Sequence, residues 1–378
     1  MIFSVSSSEL LNGLLAVAKV IPSKPIAGIL ENFLFELKDN VLTVTASDGE
    51  TTLKTNLQIA NVEEVGEIAV PAKLLTDSLR EFPDLPLTFR NHSGDSLMEI
   101  VWATGASKIP CFPAADFPVL PDAPEYSEKM SIPADVLLNG INSTLYATAE
   151  EEFRPVMNGI FFDLDVEGST FVASDAHKLV CFDFKGAQVA QKSAFILHKK
   201  PALILKSILA KVSPEEVVSV VFNSKNAFFS FEGNILVCRL IEGNYPAYKT
   251  VIPKNNPNKL VIGRQDLLNV VKRISVCSNQ ASNQITLKLS LNELVVSAQD
   301  FSFSISAHES IPCQYDGDQM EIGFKAPFLV EILNNLPYTN ICIELSDPQR
   351  AILIVSADED DDSAENLRAL LMPVMINA

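Results

Sequence analysis

The sequence predicts an α+β protein of three like modules, each with two helices packed on antiparallel sheet. Three observations carry that prediction. One stretch is written three times, as NFLFELKDNVLTVTASDGETTLKTN from Asn32, NGIFFDLDVEGSTFVASDAHKLVCFDF from Asn158 and NQITLKLSLNELVVSAQDFSFSISAH from Asn283. Its starts lie 126 and 125 residues apart in a chain of 378. Each third also opens on an amphipathic segment containing Leu-Leu-Asn, at Leu10, Leu137 and Leu267. Each has a second helical segment started by a proline, at Pro71, Pro201 and Pro327. A repeat of this length is the signature of an array of similar units.

The elements follow in chain order. In the first opening segment, Leu10, Leu11, Leu14, Leu15, Ala18 and Ile21 form one helical stripe, and Asn12, Ala16 and Lys19 share the opposite face. Ser8, Asp135 and Asp266 are expected as caps or first-turn acids of the three opening helices. The repeated stretch reads as a run of strands. Ile160, Phe162 and Leu164 alternate with their neighbours, and Phe171, Ala173, Leu179 and Cys181 resume after turns. Gly168 and the Ser174-Asp175 pair supply the turn chemistry. The three prolines suit a first helical turn, where the missing amide has no partner to lose. More short strands close each third. VLPDAPEYSEKMSIP (119–133) and NYPAYKTVIPKNNPNK (244–259) read as extended linkers. The expected modules are therefore 1–127, 128–252 and 253–378.

Composition bounds the function. No apolar run approaches the ~20 residues of a membrane span, and MIFSVSSSELL lacks the basic start of a secretory signal. Six cysteines, at 111, 181, 238, 277, 313 and 342, are scattered with no CxxC pair, as expected of reduced core thiols in a cytoplasmic protein. The net charge is −18. A protein that grips DNA through phosphates clusters Lys and Arg, so any role on DNA must use a locally basic face or hold DNA by something other than affinity. Basic residues do gather on helical segments: Lys73 and Arg80, then Lys199, Lys200, Lys206 and Lys211, then Lys272 and Arg273. Glu331 and Asn334 break the pattern in the last third, and Tyr146 stands where a base is expected in the middle one.

Ser174, Asp175 and His177 form the one cluster with the residue types of an acyl-transfer enzyme, but residues two apart on a strand share a side without forming a relay. The other copies of the stretch have Asp48 and Asp300 near this point and no His, so a polar turn is the simpler reading. The run Asp358 to Asp362 reads as a solvated acidic loop rather than a metal site, because consecutive carboxylates cannot converge on one ion. The apolar end, Leu370 to Ile376, fits either a last strand tucked into the core or the lip of an adaptable groove containing Met372 and Met375. Pro373 should interrupt regular pairing there.

These motifs together resemble the bacterial sliding clamps, the beta subunits of DNA polymerase III. The resemblance spans the chain, through PAADFP (113–118), MNGIFFD (157–163), ASDAHKL (173–179), EGNYPAYKTVIP (242–253) and MPVM (372–375) in order. It implies a non-enzymatic processivity factor without cofactor. Two chains would join head to tail in a homodimer ring, helices lining the hole, so that duplex DNA is held by encirclement. The implied partners are the replicative polymerase catalytic subunit, the clamp loader, and other repair and replication proteins carrying clamp-binding peptides. Their pocket would use Met157, Ser174, Ala176, His177, Lys178 and Leu179, then Pro246 and Val251, then Leu370, Met372, Pro373, Val374 and Met375. Lys24, Lys73, Arg80, Lys199, Lys200 and Lys272 are the expected DNA contacts. The chain departs from the family pattern at Ala176, usually glycine, at Lys178, usually arginine, and in a tail that runs on to Asn377 and Ala378. Those departures bear on which peptides bind.

Overall fold

The computed structural model describes residues 1–24, 26–92, 94–118, 127–150, 153–186, 189–358 and 363–376. Most of the first expected linker, residues 359–362 of the acidic run, and Asn377 and Ala378 lie outside the described residues. Six α-helices are described: α1 (Ser7–Val17), α2 (Ala72–Arg80), α3 (Ala134–Thr144), α4 (Lys199–Leu209), α5 (Arg264–Ser275) and α6 (Ala326–Asn335). No helix among the described residues is long and apolar enough to cross a membrane.

Two compact units emerge. The first comprises Met1–Asp135 and Leu203–Leu240, the second Val136–Ala202 and Ile241–Ala378. The middle third is thus divided, because its strands belong to two different sheets. In the first unit, one sheet runs Asn61–Glu64, Ile2–Ser6, Pro86–Arg90, Leu97–Trp102, Gly105–Pro110. Its eight-stranded sheet runs Glu128–Pro133, Val217–Phe222, Asn226–Phe231, Asn234–Arg239, Thr51–Gln58, Val41–Ser47, Asn32–Lys38, Gly66–Pro71. In the second unit, nine strands run Ser193–His198, Gly159–Asp165, Gly168–Ser174, Lys178–Phe184, Glu365–Leu371, Ile352–Ser356, Asn340–Leu345, Asn258–Gly263, Gln314–Tyr315. Four more run Ile305–Pro312, Glu293–Asp300, Gln284–Ser290, Met320–Lys325.

Neighbouring strands pair antiparallel, as at Phe162↔Phe171 and Phe171↔Phe182. These rings pack together in the core with centroids 4.3 and 6.0 Å apart. Antiparallel sheet with helices on one face is the α+β layer arrangement that the alternation predicted.

Two expectations change. Each third begins with a strand rather than a helix: Ile2–Ser6, Glu128–Pro133 and Asn258–Gly263 precede α1, α3 and α5. The buried side of α1 is Leu10, Gly13, Leu14 and Val17, with Leu11, Leu15, Ala18 and Ile21 only half-buried. Leu57 lies over Gly13, where a Cβ would come within 2.9 Å of its Cδ1, and this close approach rotates the stripe. The N-cap is Ser6, whose hydroxyl accepts from the Glu9 amide, rather than Ser8. Asp135 and Asp266 do lie in first turns. Pro71 caps α2 from just outside, while Pro201 and Pro327 sit inside the first turns of α4 and α6.

Candidate functional site

The site grows from one turn. After the Gly168–Ser174 strand, Ser174 Oγ donates to the Lys178 carbonyl and accepts from the Ala176 amide. Asp175 Oδ1 accepts from the His177 and Lys178 amides, each at 2.9 Å. Asp and Ser side chains stand in for backbone partners in such turns. Ala176 at the apex has φ 73, the left-handed region that costs a Cβ-bearing residue about 1 kcal/mol relative to glycine.

These bonds leave no catalytic relay. Ser174 Oγ is committed to the backbone, Asp175 Oδ1 holds the turn, and the His177 ring stacks on Phe328 at 5.1 Å. A nucleophile needs its base within hydrogen-bond reach. Among the described residues no group of three or more His, Cys, Asp or Glu could hold a metal ion.

Lys178 is only 4% exposed. Its Nζ meets Asp175 Oδ2 at 2.6 Å and Glu331 Oε2 at 3.0 Å, and lies 4.7 Å from the centre of the Phe328 ring. A cation so far out of water requires such compensation. Glu331, which breaks the basic pattern of the helices, is thus a counter-ion on α6. Phe328 and Glu331 were missed in the sequence because nothing local links them to the turn.

Beside this turn lies a concavity of ≈ 470 Å³. Of the expected set, Met157, Ser174, Ala176, His177, Lys178, Leu179, Pro246, Val251, Leu370 and Met372 line it. Tyr245 and Tyr248, which the sequence reading passed over, also line it. Their spacing around Pro246 in EGNYPAYKTVIP was the available signal. Its base joins the buried cluster of Val172, Leu179, Cys181, Tyr248, Leu353 and Leu370. Burial pushes the Cys181 thiol up to about 12, so it is inert as a nucleophile. The second linker is tied down by rings and charge. Tyr245 stacks on Phe161 with centroids 4.6 Å apart, and Tyr248 donates to Asp163 Oδ2 at 2.7 Å. Lys249 reaches the same carboxylate at 2.8 Å. Burial raises the Asp163 pKa, but the Lys249 and Tyr248 hydrogen bonds outweigh it and hold the group below its ordinary value.

Pro373, Val374 and Met375 do not line this concavity. Met372 still donates its amide to the His177 carbonyl at 2.9 Å, and then the chain turns away. The Val374 amide donates to the Gly323 carbonyl at 2.8 Å, a single bridge on the edge of the Met320–Lys325 strand. An unpaired strand edge draws extended chain, and Gly323 leaves room, since a Cβ there would meet the Val374 carbonyl at 2.8 Å.

None of the expected DNA contacts lines the pocket. Lys24 is exposed in the loop after α1. Lys73 and Arg80 both pair with Asp77 on α2, at 2.5 and 3.1 Å, beside a broad cleft of ≈ 1550 Å³. That cleft is larger than the turn-side pocket, and Ile21, Ile29, Leu74 and Phe112 share its lining with Lys73, Asp77 and Arg80. Lys199 pairs with Glu150 at 2.7 Å, Lys200 stands half-exposed beside it, and Lys272 reaches Asn334 at 3.4 Å.

Repeated antiparallel sheets and a largely apolar concavity beside one of their turns are the features of a scaffold with a docking site. Comparison with known proteins gives the particular family. Models of the DNA polymerase III beta subunit match in chain order: the N-terminal domain over residues 1–121, the central domain over 131–247 and the C-terminal domain over 249–374. The beta sliding clamp of Haemophilus influenzae is 27% identical over 380 aligned positions, covering 99% of this chain and 100% of that one. That of Vibrio cholerae is 26% identical, covering 95% and 96%. The structure of a Pseudomonas aeruginosa sliding clamp bound to griselimycin superposes with a TM-score of 0.93 at 25% identity, covering 100% of both chains. The chain belongs to the DNA polymerase III beta subunit family.

Proposed function

We infer that the protein is a DNA sliding clamp, a non-enzymatic ring of two chains that encircles duplex DNA and tethers the replicative polymerase, the clamp loader and other replication and repair proteins. The observation that carries this reading is a mismatch of strand edges. Within the first unit, Thr51–Gln58 of the first third pairs with Asn234–Arg239 of the middle third. Within the second, Lys178–Phe184 of the middle third pairs with Glu365–Leu371 of the last. The same join is half-made twice more. Ile305–Pro312 of the last third pairs on one side only, with Glu293–Asp300. Gly105–Pro110 of the first third likewise pairs only with Leu97–Trp102. Among the described residues both are sheet edges, and Phe301 and Phe303 beside the first are 75% and 70% exposed. Joining these two edges between two chains gives a heterologous contact made twice, which closes a six-module ring and covers the edges.

The modules of this ring are residues 1–127, 128–252 and 253–378, and the protein works in the cytoplasm. Lys24, Lys73, Arg80, Lys199, Lys200 and Lys272 supply a modestly basic lumen. Several of them already share acidic neighbours, which suits a protein that must not grip phosphates tightly. Partner peptides dock in the ≈ 470 Å³ pocket, with apolar side chains on Leu179, Tyr248, Leu370 and Met372.

The test is topological. Protein loaded on nicked circular DNA should remain bound through gel filtration and be lost once the circle is linearised. Equal loss from circular and linear DNA would overturn encirclement.

A further inference from the structure

The pocket does not end at Met372. A second trough of ≈ 580 Å³ continues from it, and Thr250, Val251 and Met372 line both. The second trough has a different character. Two cations, Lys254 and Arg350, stand on its wall, and no Asp or Glu lines it. Both side chains are exposed, and neither is drawn into an ion pair with a described residue. In a chain of net charge −18, this contrasts with Lys178, Lys199 and Lys249, each held by a carboxylate. The trough is also built rather than frayed. Asn256 Nδ2 donates to the Glu344 carbonyl at 3.0 Å and to the Ala351 carbonyl at 3.3 Å, fastening the second linker to the turn that carries Arg350. The nearby Asp347 carboxylate is engaged by the Gln349 amide at 2.8 Å.

We propose that this trough is an anion-selecting extension of the docking pocket, which takes a carboxylate of the partner peptide flanking its apolar anchors. The proposal rests on the pocket reading above. It is carried by charge complementarity and by the shared wall: a peptide seated on Met372 and Val251 has its next residues beside Lys254 and Arg350. Apolar anchors supply affinity in the first compartment, and the cations discriminate among segments that present the same anchors.

Fluorescence polarisation with synthetic peptides tests it. The probes share a Leu-Leu-Phe core and carry two Asp or two Asn on each flank, amidated at the C-terminus. A further pair carries Asn flanks with a free or an amidated C-terminus, separating a side-chain carboxylate from a terminal one. One of the two carboxylate probes should bind about threefold to tenfold tighter than its neutral match at low salt. The gap should shrink as salt rises and vanish in a K254A/R350A variant whose affinity for neutral peptide is unchanged. Equal affinity for charged and neutral probes on the wild-type chain would overturn the extension while leaving the apolar pocket intact. Failure of every probe to bind, or binding indifferent to Met372→Asp, would overturn the pocket reading and the extension with it.

Discussion

The turns at Ser47–Thr51 and Ser174–Lys178 are the same object put to different uses. In the first, Ser47 Oγ donates to the Thr51 carbonyl and accepts from the Gly49 amide, while Asp48 Oδ1 accepts from the Glu50 and Thr51 amides. The second repeats this bond for bond. Each turn leads into a strand that pairs with the last strand of the next third. The backbone join is therefore structural in both. What differs is Gly49, Glu50 and Thr51 against Ala176, His177 and Lys178. Only the second set reaches α6, where His177 and Lys178 close on Phe328 and Glu331. The two junctions share one backbone arrangement, and the three side chains at the second place it beside the concavity lined by Tyr248, Leu370 and Met372.

The sharpest way to break that contrast is at its buried cation. Lys178→Met leaves Asp175 without its partner in a half-buried position and should destabilise the protein by about 2–3 kcal/mol. The matching Thr51→Val should cost less than about 1 kcal/mol, since no partner is stranded. Urea unfolding of both variants checks this. Equal losses would mean that the two turns are energetically alike, and that the Lys178 network adds nothing.

Asp163→Asn removes the charge that Tyr248 and Lys249 hold. It should cost about 1–2 kcal/mol and loosen the second linker. The sign of the pH dependence follows from the depressed pKa of Asp163. Its contribution is present above the ordinary carboxylate value of ~3.9 and is lost as pH falls through the lower folded value. Thermal unfolding of wild type and variant should therefore converge in acid. A difference that stays constant into strong acid would contradict the assignment.

The smallest effects lie at the apex of each turn and should have opposite signs. Gly49 has φ 94 with open space where a Cβ would go, so Gly49→Ala isolates backbone strain and should cost about 1 kcal/mol. Ala176→Gly relieves that strain and should be neutral or stabilising by up to about 1 kcal/mol, since the gain is offset by a freer unfolded chain. Losses of similar size at both positions in calorimetry would show that the apices are not equivalent.

Local pattern made much of this molecule legible. The alternation of Ile160, Phe162 and Leu164 and the helix-starting prolines gave the strands and helices, because each depends only on near neighbours. Strands as short as Ile2–Ser6 and Asn258–Gly263 escaped because their last residues, Ser6 and Gly263, are also the N-caps of the helices that follow directly. Met157 and Leu179, which line the concavity, were legible through the family motifs that contain them. The partnership of Lys178 with Glu331 was not, since it joins a turn to a helix far along the chain. The path of Val374 was not legible either, because it depends on which sheet edge stands open nearby.

The central claim is that the two half-made junctions complete one another between chains. The solution mass at micromolar concentration tests it most directly. Sedimentation equilibrium should give twice the 41.3 kDa of one chain, and charge reversals along Ile305–Pro312 should return it to that single-chain value. A strict monomer for the unaltered protein would contradict the ring and everything built on encirclement.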